Sequence, residues 1–167
     1  SGFPFWTLDI GGFFVKQGTQ WFWDGDFEDP DSDPGFRELL VRWFQLGAFL
    51  PVFRSHGTDV RREPWHFGER GDPFYDAIAE AIDLRYRLMP YIYGAAVEAH
   101  EKGTPVLRPM MFEFPDSIAC ETCDRQYMLG ANLLVAPVMH ADGHADYYLP
   151  AGRWTSLLSG EVVEGYT

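Results

Sequence analysis

Phe3-Pro4-Phe5-Trp6-Thr7-Leu8-Asp9-Ile10-Gly11-Gly12-Phe13 opens the chain as a short apolar run that stops at one carboxylate and two glycines. A run of that length suits a strand covered on both faces, as the strands of parallel sheets are. A carboxylate at its end falls where parallel barrels carry their functional groups, at the C-terminal edge of the strands. From Phe14 to Pro34 the composition turns to Gly, Asp and Trp, with Trp21-Phe22-Trp23-Asp24-Gly25-Asp26 in the middle. This reads as a long loop, and about 20 residues without periodicity are uncommon between packed elements.

Pro34 and Gly35 lead into Phe36, Leu39, Leu40, Trp43 and Phe44, whose spacing of three and four predicts one apolar helical face ending near Gly47. Ala48 to Phe53 reads as a second buried strand, closed by the polar turn Arg54-Ser55-His56-Gly57. The order strand, loop, helix, strand is that of a parallel α/β fold. After a second loop, Thr58 to Gly71, Asp72-Pro73 pairs an N-cap with a proline at the first helical position. Phe74, Ile78, Ile82, Tyr86 and Met89 then recur at helical spacing, Pro90 is expected to kink or split the helix, and Lys102-Gly103 marks its end. Beyond Gly103 the pattern changes. Val106 to Phe114 reads as extended, Cys123 to Leu129 as one or two helical turns, and Leu133 to Val138 as a strand. Ala145 to Leu149, Trp154 to Leu158 and Glu161 to Val163 alternate between turns, the start of an antiparallel β domain.

The chain has 167 residues, and 13 Lys plus Arg against 25 Asp plus Glu give a net charge of −12. That charge argues against nucleic acid and against anionic membrane surfaces, both of which need a basic face. Apolar residues at 46% and aromatics at 17% are enough for a sizeable core and exclude disorder. No apolar run reaches the roughly 20 residues of a spanning helix, the first residues lack the pattern of a signal peptide, and the compartment is left open. Cys120 and Cys123 are too few for a disulfide framework or a four-ligand zinc site. Their spacing admits a redox pair or half of a shared metal site, but without a surrounding βαβ pattern it reads as two incidental thiols.

Asp9 and His56 stand at the ends of the two expected strands, with Arg54 two residues before the histidine. A carboxylate and an imidazole beside aromatics such as Trp6, Trp21, Trp23 and Trp65 suit a sugar, whose hydroxyls need donors and acceptors and whose C–H faces rest on rings. On spacing alone Asp9 reads equally well as a turn cap through Gly11 and Gly12, His56 as a structural histidine, and the Trp-rich loop as the packed underside of an insertion. Phosphate-loop, dinucleotide, nucleophile-elbow and H-E-x-x-H motifs are absent. Asp24 to Asp29 match a calcium loop at neither the glycine nor the final glutamate position, so no metal and no cofactor are expected.

Trp6-Thr7-Leu8-Asp9-Ile10-Gly11-Gly12-Phe13, Arg42 to Pro51, Phe53-Arg54-Ser55-His56-Gly57, Arg85 to Tyr93, Pro105 to Met110, Glu113 to Asp116 and Gln126 to Val138 together resemble glycoside hydrolase family 31, in that family's order. The resemblance covers almost the whole chain. It implies an α/β fold in which residues 1–103 are the C-terminal quarter of a (β/α)8 TIM barrel, its last two strand–helix units. Residues 104–167 would begin an antiparallel β-sandwich domain. Members are retaining α-glycosidases with two carboxyl groups roughly 5–5.5 Å apart. The resemblance puts both of those carboxylates before Ser1, so no catalytic residue is expected here. It carries over Asp9 and His56 as ligands of the cleaved sugar and Arg54 as the orienting partner of a carboxylate; Trp6 is kept as a further substrate-binding candidate on the strength of its ring face alone.

The Asp-Ile-Gly-Gly-Phe version, the Phe-Arg-Ser-His-Gly turn and the block Tyr147 to Thr155 resemble the α-xylosidase branch, which removes α-xylose from xyloglucan-type oligosaccharides; some α-glucosidases carry similar blocks. The implied partners are an oligosaccharide substrate and the remainder of the same polypeptide. A separate sugar-binding or assembly module is the alternative from a different class. A quarter barrel leaves strand edges and a helix face uncovered, so the chain alone is expected to aggregate or self-associate, and a homo-oligomer is left open.

Overall fold

A computed structural model describes residues 5–18 and 23–166. Helix α1 spans Pro34–Gly47 and starts as the sequence predicts: Asp33 accepts from the backbone N–H groups of Gly35 at 2.8 Å and Phe36 at 3.0 Å, with proline following the cap. Its buried face, Phe36, Leu40, Val41 and Phe44, packs with Ile10, Val15, Phe67, Ile78 and Ala81 into one core. At its end Gly47 lies so close to the first segment that a Cβ there would sit 2.4 Å from the Ile10 side chain.

A 3-10 turn, Pro64–His66, precedes helix α2, Pro73–Lys102, capped by Asp72 through the N–H groups of Phe74 and Tyr75. The expected kink or split at Pro90 does not interrupt it: α2 runs through 30 residues, with Pro90 exposed on its outer side. The second half of α2 presents Leu88, Ile92 and Ala95 to Val106, Leu129 and Val135, so one helix serves two cores.

The parallel strand pair is present only in outline. Ile10 and Ser55 form a single parallel bridge, and the ladder bonds beside it are long, Val52 N–H to Trp6 O at 3.3 Å and His56 N–H to Ile10 O at 3.4 Å. The strand expected over Ala48 to Phe53 is instead a pair of tight turns, Phe49 N–H to Leu46 O and Leu50 N–H to Gly47 O, with extended backbone only from Phe53. The cause is Arg85 on α2, whose guanidinium collects the carbonyls of Ala48, Leu50 and Pro51 and withdraws them from any ladder.

Beyond α2, β1 (Leu107–Pro109), β2 (Tyr127–Leu129) and β3 (Leu133–Val135) form an antiparallel sheet in that order, with Arg108 opposite Met128 and Met128 opposite Leu134. Three expectations are corrected here. Val106 to Phe114 is extended only over β1, then turns into the short helix α3, Met110–Glu113, which buries Met110 against Cys120 and Met128. The helical turn expected over Cys123 to Leu129 lies earlier, in α4 at Ile118–Glu121; Tyr127–Leu129 is the central strand, because β1 and β3 both claim its backbone. Ala145 to Leu149 forms no strand. The Gln126 side chain stands in for one there, accepting from Tyr148 N–H at 2.7 Å and donating to Tyr148 O at 2.8 Å. The closing hairpin pairs β4, Arg153–Thr155, with β5, Val162–Glu164, each shorter than or offset from its predicted run.

Arg108, nearly buried, ties the two parts together. It donates to Pro105 O at 2.8 Å and pairs with Glu98 of α2 at 3.0 Å and Glu113 of α3 at 2.5 Å. No helix among the described residues is long and apolar enough to cross a membrane.

Candidate functional site

Asp9 and His56 belong to segments 45 residues apart in sequence that the Ile10–Ser55 bridge lays side by side. Each segment then turns sharply: Gly12 N–H returns to Asp9 O at 2.8 Å, and Thr58 N–H reaches Phe13 O at 2.9 Å. The Ser55 hydroxyl adds a bond to Ile10 O at 3.1 Å. These bonds place the three predicted polar residues in one cluster. Asp9 Oδ1 accepts from Arg54 Nη2 at 2.8 Å and from His56 Nδ1 at 3.0 Å.

That arrangement fixes functional groups rather than burying them. With Nδ1–H directed at Asp9, the Nε2 of His56 faces outward, and among the described residues it has no partner. Among the described residues Asp9 Oδ2 likewise carries no hydrogen bond, and the Arg54 fork retains further N–H groups. The side chains of Asp9, His56 and Arg54 are 31%, 46% and 49% exposed, so they form an open rim able to meet a polar ligand. Arg54 Nη2 and His56 Nδ1 lie 3.4 Å apart as two donors converging on the same oxygen. The Phe13 ring, 5.3 Å from the imidazole, gives that rim one aromatic wall.

Trp6 is half-exposed three residues before Asp9; it joins the second segment through its carbonyl, and its indole takes no part in the hydrogen bonds of the cluster. Trp23 and Trp65 are exposed, Trp65 beside His66 with ring centroids 6.2 Å apart. Trp21 lies outside the described residues. In the Asp-rich loop, Asp24 accepts from Gly18 N–H at 2.6 Å, and no three His, Cys, Asp or Glu side chains gather as a metal site among the described residues. Cys120 and Cys123 are free thiols; burial, followed by the neighbouring Cys120, pushes the Cys123 thiol up from its ordinary value.

A cavity of 640 Å³ opens beside His56, bordered by Gly57, Asp59, Arg61, Arg62 and Pro64. Arg62 is the functional-site neighbour that sequence reasoning missed, and the glycines after Asp9 and His56 are the signal that pointed to it. A larger groove of 1000 Å³ between α1, α2 and residues 135–138 contains none of Asp9, Arg54 and His56.

With this geometry in hand, comparison with known proteins is specific. Residues 1–95 match the family described as Glycosyl hydrolases family 31 TIM-barrel domain, and residues 103–167 match the Glycosyl hydrolase family 31 C-terminal domain. The chain is 43% identical over 131 residues to Alpha-glucosidase 2 of Bacillus thermoamyloliquefaciens, covering 77% of the chain and 16% of that protein. It is 39% identical over 165 residues to Alpha-xylosidase XylQ of Lactiplantibacillus pentosus, covering 98% of the chain and 19% of that protein. Among solved structures, a family 31 α-xylosidase from a soil metagenome, complexed with xylose, superposes with a TM-score of 0.84 at 36% identity over 99% of this chain and 25% of the other. The chain thus spans between 16% and 25% of the length of these relatives.

Proposed function

The chain belongs to glycoside hydrolase family 31, and on that premise we propose that it is the segment of a retaining α-glycosidase that holds the sugar to be released, without supplying the catalytic carboxylates. Residues 1–103 would be the last two strand–helix units of the barrel and 104–167 the start of the following β-sandwich. The observation that carries this reading is the Asp9–Arg54–His56 cluster at the ends of two parallel segments, with Asp9 Oδ2 and His56 Nε2 left for a ligand.

The chemistry follows from the geometry. A retaining glycosidase passes through a glycosyl–enzyme intermediate, and the sugar's hydroxyls must be gripped more tightly as charge develops at its ring. Asp9 Oδ2 accepts a hydrogen bond from one hydroxyl. Arg54 and His56 hold that carboxylate oriented through its other oxygen, so its position is set before substrate arrives. His56, with Nδ1–H committed to Asp9, offers Nε2 to a second hydroxyl as an acceptor.

The substrate we infer is a terminal α-xylose on a xyloglucan-type oligosaccharide; relatives named as α-xylosidases and the blocks at Asp9 and His56 support it. The α-glucosidase relative at 43% identity supports a second reading, an α-glucoside, in the same site. Release of xylose and glucose from matched p-nitrophenyl α-glycosides separates the two. The whole enzyme is expected to prefer the xyloside, and this chain alone to release neither sugar.

A further inference from the structure

We propose that Arg62 is a positioning residue for the sugar-binding pair, a buried clamp that holds the turns carrying Asp9 and His56 at a fixed separation; the role rests on the reading of the site given above. Arg62 is 7% exposed, and its guanidinium spends itself on backbone. Nη2 donates to Gly12 O at 2.5 Å and to Thr58 O at 3.3 Å, and Nη1 donates to Val60 O. Gly12 closes the turn that begins at Asp9, and Thr58 lies two residues after His56 on the turn that returns to Phe13. One planar cation therefore bridges both turns. A lysine, a single point charge on a flexible stem, does not match that spread of acceptors.

The glycines of the two motifs are explained by the same side chain. A Cβ on Gly57 would lie 2.2 Å from Arg62 Nη2 and 2.4 Å from Gly12 O, and one on Gly11 would lie 3.0 Å from Arg62 Cδ and Nε. Gly11, two residues after the carboxylate, and Gly57, next to the imidazole, are small where a guanidinium passes between them. Burial works against the charge on Arg62 and lowers its pKa, while Asp9, Asp59 and Glu63 oppose that shift. The clamp thus also sets a positive charge behind the carboxylate that it positions, without touching it. Its Nε finds no acceptor among the described residues, so the two Nη groups do the bridging.

The test is a double-mutant cycle in the whole enzyme, reading kcat/KM on the p-nitrophenyl α-xyloside, inhibition by free xylose, and the melting temperature. Arg62→Gln is expected to lower kcat/KM and to weaken xylose inhibition, each by about tenfold, while adding almost no further loss in a His56→Ala background. A purely structural role would multiply equally into both backgrounds. If Arg62→Gln does not fold, Arg62→Lys, which keeps the charge and the stem, carries the same cycle and is expected to show the same coupling. Equal losses in both backgrounds, no loss, or unfolding of both variants overturns the clamp. A harmless His56→Ala overturns the sugar-site reading itself, and the clamp with it.

Discussion

Asp9 receives two donors on one oxygen, and that asymmetry decides what each neighbouring residue contributes. The pairs are half-exposed, so their worth to stability is small, about 0–1 kcal/mol; on the proposed reading, Asp9's worth to a bound sugar is larger, because a hydrogen bond to a charged group contributes about 1.5–3 kcal/mol. Asp9→Asn in the whole enzyme is therefore expected to lower kcat/KM by about 10–100-fold with almost no change in melting temperature. Activity within twofold of the parent would mark the cluster as a surface ion pair only. Asp9, Arg54 and His56 were legible in the sequence because each stands where an apolar segment gives way to a turn. Arg62 was not, since its acceptors are main-chain carbonyls up to 50 residues away and carbonyls carry no residue identity. Only the glycines at 11 and 57 record its path.

The two long helices were readable because their caps and periodicity agree, Asp33-Pro34 before α1 and Asp72-Pro73 before α2. The short strands were legible only in part, β3, β4 and β5 overlapping expected runs while β2 was read as helix, because a three-residue strand has no period of its own and takes its place from partners: β2 is a strand through β1 and β3, and Ala48–Pro51 is not one because Arg85 holds its carbonyls. At this scale Gly47→Ala is expected to destabilise by about 1–3 kcal/mol, since its Cβ would meet Ile10 and part α1 from the first segment. A thermal midpoint equal to the parent's would refute that packing. The joint between α2 and the sheet carries a pH dependence. Lys102 first, then Arg108, hold the Glu98 carboxyl below its ordinary 4.5. A lowered folded pKa contributes stability that is present above the unfolded value and lost as pH falls through the folded one. Glu98→Gln is thus expected to lower the denaturation midpoint at pH 7, and the gap to the parent should narrow as pH falls below the carboxyl's ordinary 4.5; a gap constant with pH would show that the pairing carries none of it.

Across the whole molecule, the exposed side of α2 bears Tyr86, Met89, Tyr93 and Val97, and the parallel pair offers a single bridge instead of a ladder. Both features fit the proposed reading of residues 1–103 as part of a barrel completed by further strands; the chain spans 16% to 25% of the relatives it matches. The isolated chain is expected to elute from size-exclusion chromatography as self-associated species, whereas a monodisperse, cooperatively melting monomer would mean that this surface needs no cover. The measurement that reaches the central claim most directly is release of xylose and glucose from matched p-nitrophenyl α-glycosides by three proteins: the whole enzyme, its His56→Ala variant and this chain alone. Activity is expected in the whole enzyme only, with preference for the xyloside and loss of it without His56. Hydrolysis of either glycoside by this chain alone would contradict it, and would require a carboxylate pair among Asp9, Asp24, Asp26 and Asp59.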